Sequence, residues 1–157
     1  MAQKFLSMKI LGEVQVDEML LRGEHAVGHM KPALEIISED LFRVVEATFQ
    51  SQGRRGGGSW KQLSEKWAKY KEAHDLDPRI LYAREYLVDS MTVRGDPAQD
   101  LRITNKTLHL GSYLPYAHLQ NYGGGKVPAR PYIDFTEHDL RRWVKICEDY
   151  LIERMKV

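Results

Sequence analysis

PALEIISEDLFRVVEATFQ, residues 32–50, is the stretch on which the fold turns. Pro32 fits the first turn of a helix, where its missing N–H costs little. Leu34, Ile37, Leu41, Val44, Val45, Thr48 and Phe49 follow at three-and-four spacing, which lines one face of a long helix. The pattern predicts a helix that ends near Gln52 and buries that face.

Downstream comes Gly53-Arg54-Arg55-Gly56-Gly57-Gly58-Ser59. Four glycines lose too much backbone entropy to hold regular structure cheaply. Residues 53–59 therefore read as a flexible loop. Ser59 is placed to cap a helix over 60–74, with Trp60, Leu63, Trp67 and Tyr70 on one face. Asp77-Pro78 marks a break, and 80–90 reads as helix through Ile80, Leu81, Ala83, Leu87 and Val88.

The period then changes to two over 91–94, 101–104 and 107–110, with a tight turn at Asn105-Lys106. This predicts a small antiparallel meander. Residues 115–122 read as a short helix that stops at Gly123-Gly124-Gly125, and 123–127 as a second flexible glycine-rich loop. Pro128-Ala129-Arg130-Pro131 is extended, since each proline pushes its predecessor out of the helical region.

Thr136 and Asp139 stand as a near capping box, with Asp for the usual Glu. A C-terminal helix follows, its apolar face made by Leu140, Trp143, Val144, Cys147, Leu151 and Met155. Upstream of the opening stretch, 4–16 alternates as a short strand would, and Asp17 can cap a helix over 18–27. The sum is a single α+β domain over 1–157, long amphipathic helices packed on a small antiparallel sheet.

Bulk properties narrow the function. The chain has 157 residues, 43% of them hydrophobic, with 23 Lys plus Arg against 22 Asp plus Glu and a formal net charge of +1. A protein whose main work was gripping duplex DNA would be more basic. One cysteine, Cys147, allows no intrachain disulfide and fits a reducing compartment or a virion assembled in one. No apolar run follows an N-terminal basic region, and none reaches membrane-spanning length, so neither signal peptide nor span is expected. The chain reads as soluble and made in the cytoplasm.

Catalytic and binding motifs fail one by one. Gly125-Lys126 is followed by Val127, and Gln120 stands where a phosphate loop needs its first glycine. His25 and His29 could share a helix face, but they lack the Glu of a zinc-protease motif and a third ligand. Cys147 on an apolar face reads as a buried structural thiol. No nucleophile elbow occurs, so no enzyme, cofactor or metal is expected. Tyr113, Tyr116, Tyr122 and Tyr132 gather with Arg130 around the second glycine run, as core or as a protein interface. Arg54, Arg55 and Lys61 are the candidates for touching a phosphate backbone.

The same segments resemble a known family. Leu110-Gly111-Ser112, then Tyr116-Ala117-His118-Leu119-Gln120-Asn121-Tyr122-Gly123-Gly124, then Pro128-Ala129-Arg130-Pro131-Tyr132-Ile133, are similar to the signature of the phage virion morphogenesis family, the tail completion proteins of Mu-like and P2-like phages. Ser59-Trp60-Lys61-Gln62-Leu63 and Ile80-Leu81 through Met91 resemble its upstream elements, so the likeness spans roughly 32–150. Three positions depart from it. Gln120-Asn121-Tyr122 replaces His-Gln-Phe, Glu85-Tyr86 stands where a glycine is usual, and Asp134 replaces another glycine.

The resemblance implies a virion subunit at the neck or tail end, a tail completion, terminator or head–tail connector protein. Such a subunit joins further copies of itself in a ring, commonly of six. It also meets the tail tube protein or connector proteins, and DNA passes through without sequence specificity. Trp60, Tyr116, Tyr122, Arg130 and Tyr132 are then expected to shape the fold or a subunit contact, and Trp60 with its loop to face a neighbour or the DNA lumen. The alternative is a DNA-binding accessory protein of phage morphogenesis that uses the Arg54-Arg55 loop.

Overall fold

The computed structural model describes residues 14–156. In order the elements are α1 (Val14–Val27), α2 (Lys31–Gln50), α3 (Glu65–Ala73), α4 (Tyr86–Thr92), β1 (Gln99–Ile103), β2 (Leu108–Ser112), α5 (Ala117–Tyr122) and α6 (Glu137–Met155). The architecture is α+β, as expected. The strand expected over 4–16 falls mostly outside the described residues; Val14 and Val16 belong to α1, which begins ahead of Asp17.

The opening stretch folds as its spacing requires. Ile37, Leu41, Val44, Val45, Thr48 and Phe49 are buried along α2. The helix ends in a Schellman motif: the Gln52 N–H donates to Phe49 O at 3.0 Å and the Gly53 N–H to Thr48 O at 3.0 Å. Gln52 takes the left-handed conformation there (φ 53°), and Gly53 follows at φ 80°. A Cβ on Gly53 would collide with the Trp60 indole, so glycine is required both by φ and by space.

Phe49, with no exposed surface, is the centre of the core. Trp60 meets it edge-on at 5.7 Å, Tyr82 edge-on at 6.1 Å, and Tyr132 stacks on it at 5.3 Å. Leu41, Val45, Ile80, Leu87, Val88 and Met91 fill the space around them.

Two helices start later than the sequence pattern predicts. The one expected over 60–74 begins at Glu65, and Ser64 rather than Ser59 caps it by accepting the Trp67 N–H. The carbonyls of Lys61 and Gln62, which a helix would need for its own bonds, accept instead from the Arg130 guanidinium. Trp60 therefore lies in the core, off the face that Trp67 and Tyr70 share. The helix expected over 80–90 begins at Tyr86. There the Ile80 N–H donates to Gln52 Oε1 at 2.6 Å, and Leu81 (φ 68°) and Glu85 (φ 60°) take left-handed conformations that no helix contains.

The sheet has two strands rather than three. β1 and β2 pair antiparallel in the register Leu101↔Leu110 and Ile103↔Leu108. Thr104 and Thr107 close the Asn105-Lys106 turn, the Thr104 N–H donating to Thr107 O at 2.9 Å. The expected first strand is absent because Met91 and Thr92 form the last turn of α4, with the Met91 side chain buried along with Leu87 and Val88. Ser90 Oγ donates to Ser112 Oγ at 2.8 Å and ties α4 to β2.

α6 begins with the capping box foreseen at Thr136 and Asp139. Its partly buried side, including Trp143, Cys147 and Leu151, packs towards α1 and α2, while Leu140 and Val144 of the predicted apolar face are exposed. Asp139 does more than cap. Its carboxylate, with no exposed surface, accepts both arms of the Arg55 guanidinium at 2.5 and 2.6 Å, and Arg142 Nη2 at 2.9 Å. Arg142 and the Trp143 indole also donate to Asp40 of α2. The glycine-rich loop is thereby bonded to both long helices through one charged network.

Two predictions follow from these elements. Glu85→Gly should raise stability by about 0.5–1 kcal/mol, because glycine adopts the left-handed backbone without strain and offsets this only partly by its entropy; urea unfolding measures it. The exposed Glu85–Arg79 pair, 3.7 Å apart, adds little either way. Asp139→Asn should cost about 3 kcal/mol at pH 7, since it leaves the Arg55 charge without its partner. The hydrogen bonds from Arg55, then Thr136 and Arg142, hold the Asp139 carboxyl far below the usual carboxylate range. An acid with a depressed folded pKa stabilises fully above its unfolded pKa, near 4, and loses that as pH falls towards the folded value. The gap between wild type and Asp139→Asn should therefore narrow by about 1 kcal/mol at pH 3.

Candidate protein-interaction site

Residues 128–133 and 60–63 lie side by side, and each fastens the other. Trp60 Nε1–H donates to Pro131 O at 2.9 Å. Arg130 returns the favour, its Nε donating to Lys61 O at 3.1 Å and its Nη2 to Gln62 O at 3.4 Å. Pro131 disfavours a helical backbone at Arg130, whose side chain reaches across to residues 61–62 rather than along its own chain. Burial pushes the Arg130 guanidinium below its ordinary value.

α5 carries the next layer. Gly123 stops it at φ 74°, and any side chain there would strike the Ala129 backbone. That close approach brings Asn121 under residues 132–133, where its Oδ1 accepts the Tyr132 N–H at 3.1 Å and the Ile133 N–H at 3.2 Å. The Tyr132 hydroxyl donates to Ala117 O at 2.9 Å, and burial pushes it up to about 12.

The five motif residues thus divide. Trp60 (4% exposed), Arg130 (7%) and Tyr132 are parts of the fold. Tyr116 and Tyr122 are exposed, with Tyr113 and Leu119 exposed beside them in sequence and Tyr122 tilted on His118 at 4.8 Å. Trp60, expected at a neighbour or the lumen, is closed off by its own core. The three basic candidates divide as well: Arg55 is bound to Asp139, whereas Arg54 and Lys61 are exposed. Among the described residues no three metal-ligating side chains converge, and no helix is long and apolar enough to cross a membrane.

Beside Arg130 the surface opens into a cavity of about 390 Å³. Leu63, Trp67, Tyr70 and Tyr86 form its walls, and Lys71 and Arg130 also line it. Lys71 is 2% exposed, its Nζ donating to Asp77 O at 2.8 Å and Arg79 O at 2.6 Å. Sequence reasoning missed Lys71, Asn121 and the cavity. Lys71 sits among exposed lysines on a polar helix, so nothing local marks it as the buried one.

Asn121→Ala should destabilise the chain by about 1–3 kcal/mol for each backbone N–H it leaves unpaired. The loss should appear in thermal unfolding.

No curated protein and no solved structure matches the chain. The family model for the phage virion morphogenesis family matches residues 13–152, most of the 157-residue length. This chain belongs to the phage virion morphogenesis family.

Proposed function

We propose that the chain is a structural, non-catalytic subunit of a tailed-phage virion, a tail completion, terminator or head–tail connector protein that forms a ring around the DNA channel. The family match over residues 13–152 carries this reading, since the family's role is the building of the virion. The ring sits at the neck or tail end, is built of further copies of the chain, commonly six, and meets the tail tube or connector proteins.

The surface suits such a part. A closed ring needs two different patches that meet on successive copies. Tyr113, Tyr116, Leu119 and Tyr122 expose one set of large side chains around α5, and Leu140 and Val144 expose another on α6. Tyrosine gives large contact area with a polar tip and is enriched where proteins bind each other. The net charge of +1 suits a wall past which DNA slides without being held. With Arg55 bound to Asp139, a DNA-gripping loop would keep only Arg54 and Lys61.

Deletion of the gene from the parent phage, followed by electron microscopy of the lysate, tests the reading. Full heads lying apart from tails, or tails of irregular length, are the expected result. Irregular tails assign a terminator and normal unjoined tails a connector. Intact, infectious virions overturn the proposal.

A further inference from the structure

The walls and charges of the cavity beside Arg130 do not balance. Lys71 and Arg130 are each more than nine-tenths buried, and no carboxylate among the described residues lies within ion-pair distance of either. Their hydrogen bonds go to the carbonyls of Lys61, Gln62, Asp77 and Arg79, which satisfy N–H geometry but do not cancel charge. The Asp77 carboxylate acts on Lys71 from beyond ion-pair distance, and no carboxylate acts on Arg130. The lining also includes Arg84 and a single acid, Glu85, which stands 3.7 Å from Arg79 outside the lining. Arg130 Nη1 bonds to nothing among the described residues, and it is not one of their sealed, unpartnered atoms. The guanidinium therefore keeps a reachable donor.

Gln120 also lines the cavity and brings a sealed acceptor, its Oε1, that has no partner among the described residues. The rest of the wall is apolar and aromatic. Trp67 and Tyr70 stack in parallel at 4.9 Å and stay exposed, and Tyr86 is 57% exposed at the mouth. Excess positive charge at depth, centred on Arg130, with exposed rings at the rim is the complement of an acid on a short flexible stem beside an apolar group.

We propose that this cavity takes a glutamate side chain, flanked by an apolar residue, from a partner polypeptide. The carboxylate meets Arg130 Nη1 and the remaining Lys71 proton. The flanking side chain covers the Trp67–Tyr70 face. A glutamate fits better than a chain end, because its two methylenes carry the charge inward while the partner's backbone stays at the mouth. The inference rests on the assembly reading only for the source of the partner. Peptide binding is read on the isolated full-length chain and the deletion phenotype in the phage, so either can fail without the other.

The test is titration of the nitrogen-15-labelled chain with three capped peptides: acetyl-Leu-Glu-Leu-amide, acetyl-Leu-Gln-Leu-amide, and acetyl-Leu-Leu with a free carboxyl end. The chain has three indole N–H reporters, Trp60, Trp67 and Trp143. The glutamate peptide should shift Trp67 saturably at millimolar concentration and leave Trp143 in place. The glutamine peptide should bind about tenfold more weakly or worse, the loss expected when a charged hydrogen bond becomes neutral. Tyr86→Ala should weaken the glutamate peptide several-fold without moving the unfolding midpoint, since Tyr86 lies at the mouth and outside the core. Equal binding of the glutamine peptide, shifts centred on Trp143, or no saturable shift overturns the proposal. Binding of the free-carboxyl peptide alone overturns the choice of glutamate in favour of a chain end.

Discussion

Everything in the described chain leans on one ring, that of Phe49. It lies at the last full turn of α2, and three aromatic side chains from three other segments close on it. Trp60 brings the end of the glycine-rich loop, Tyr82 the turn before α4, and Tyr132 the segment after the second glycine run. None of these segments has regular structure of its own where it touches Phe49. Rings meeting edge-on and in offset stacks gain beyond their buried area, because each positive edge meets a negative face. The irregular parts of the chain are thus held by one regular helix, and the polar bonds of Gln52, Arg130 and Asn121 then fix what the rings bring near.

That order of dependence explains why the polar residues are so specifically placed. Irregular backbone in a core must find partners for its N–H and C=O groups. Here long or amide side chains supply them: Gln52 for Ile80, Asn121 for Tyr132 and Ile133, Arg130 for Lys61 and Gln62, Lys71 for Asp77 and Arg79. Each takes the place of a ladder bond that a helix or sheet would have provided.

What the sequence disclosed follows the same line. α2 and the capping box of α6 were legible because periodicity and capping are local, acting over three or four residues. The starts of α3 and α4 were not, because the groups that unmake their first turns come from 69 and 28 residues away. The third strand failed because alternation at Met91 coincided with a helical spacing to Leu87 that burial favoured. In the candidate site the motif was legible and its division was not. Nothing local to Tyr116 or Tyr132 says which ring is covered. That is decided by Phe49, far back in the chain. Glu85 is the converse case: it takes a left-handed backbone (φ 60°) that favours glycine, and nothing in a glutamate's own chemistry announces it.

The contact between Arg55 and Asp139 also sets an order of manufacture. The two residues are 84 positions apart, and a ribosome releases the chain from its N-terminus. α2 and the loop behind it leave the tunnel while the carboxylate that fastens the loop is still unmade. A nascent chain that has reached the second glycine run holds both arms of Arg55 unbonded, and Trp60 without the Pro131 carbonyl that receives its indole N–H. The loop's local bonds, such as Gly57 N–H to Arg54 O and Trp60 N–H to Gln52 O, need nothing downstream, but its fastening to α6 waits until the last quarter of the chain has emerged. A fragment cut short before Asp139 would carry the loop without its tie to α6, and Arg55 without the carboxylate that receives it.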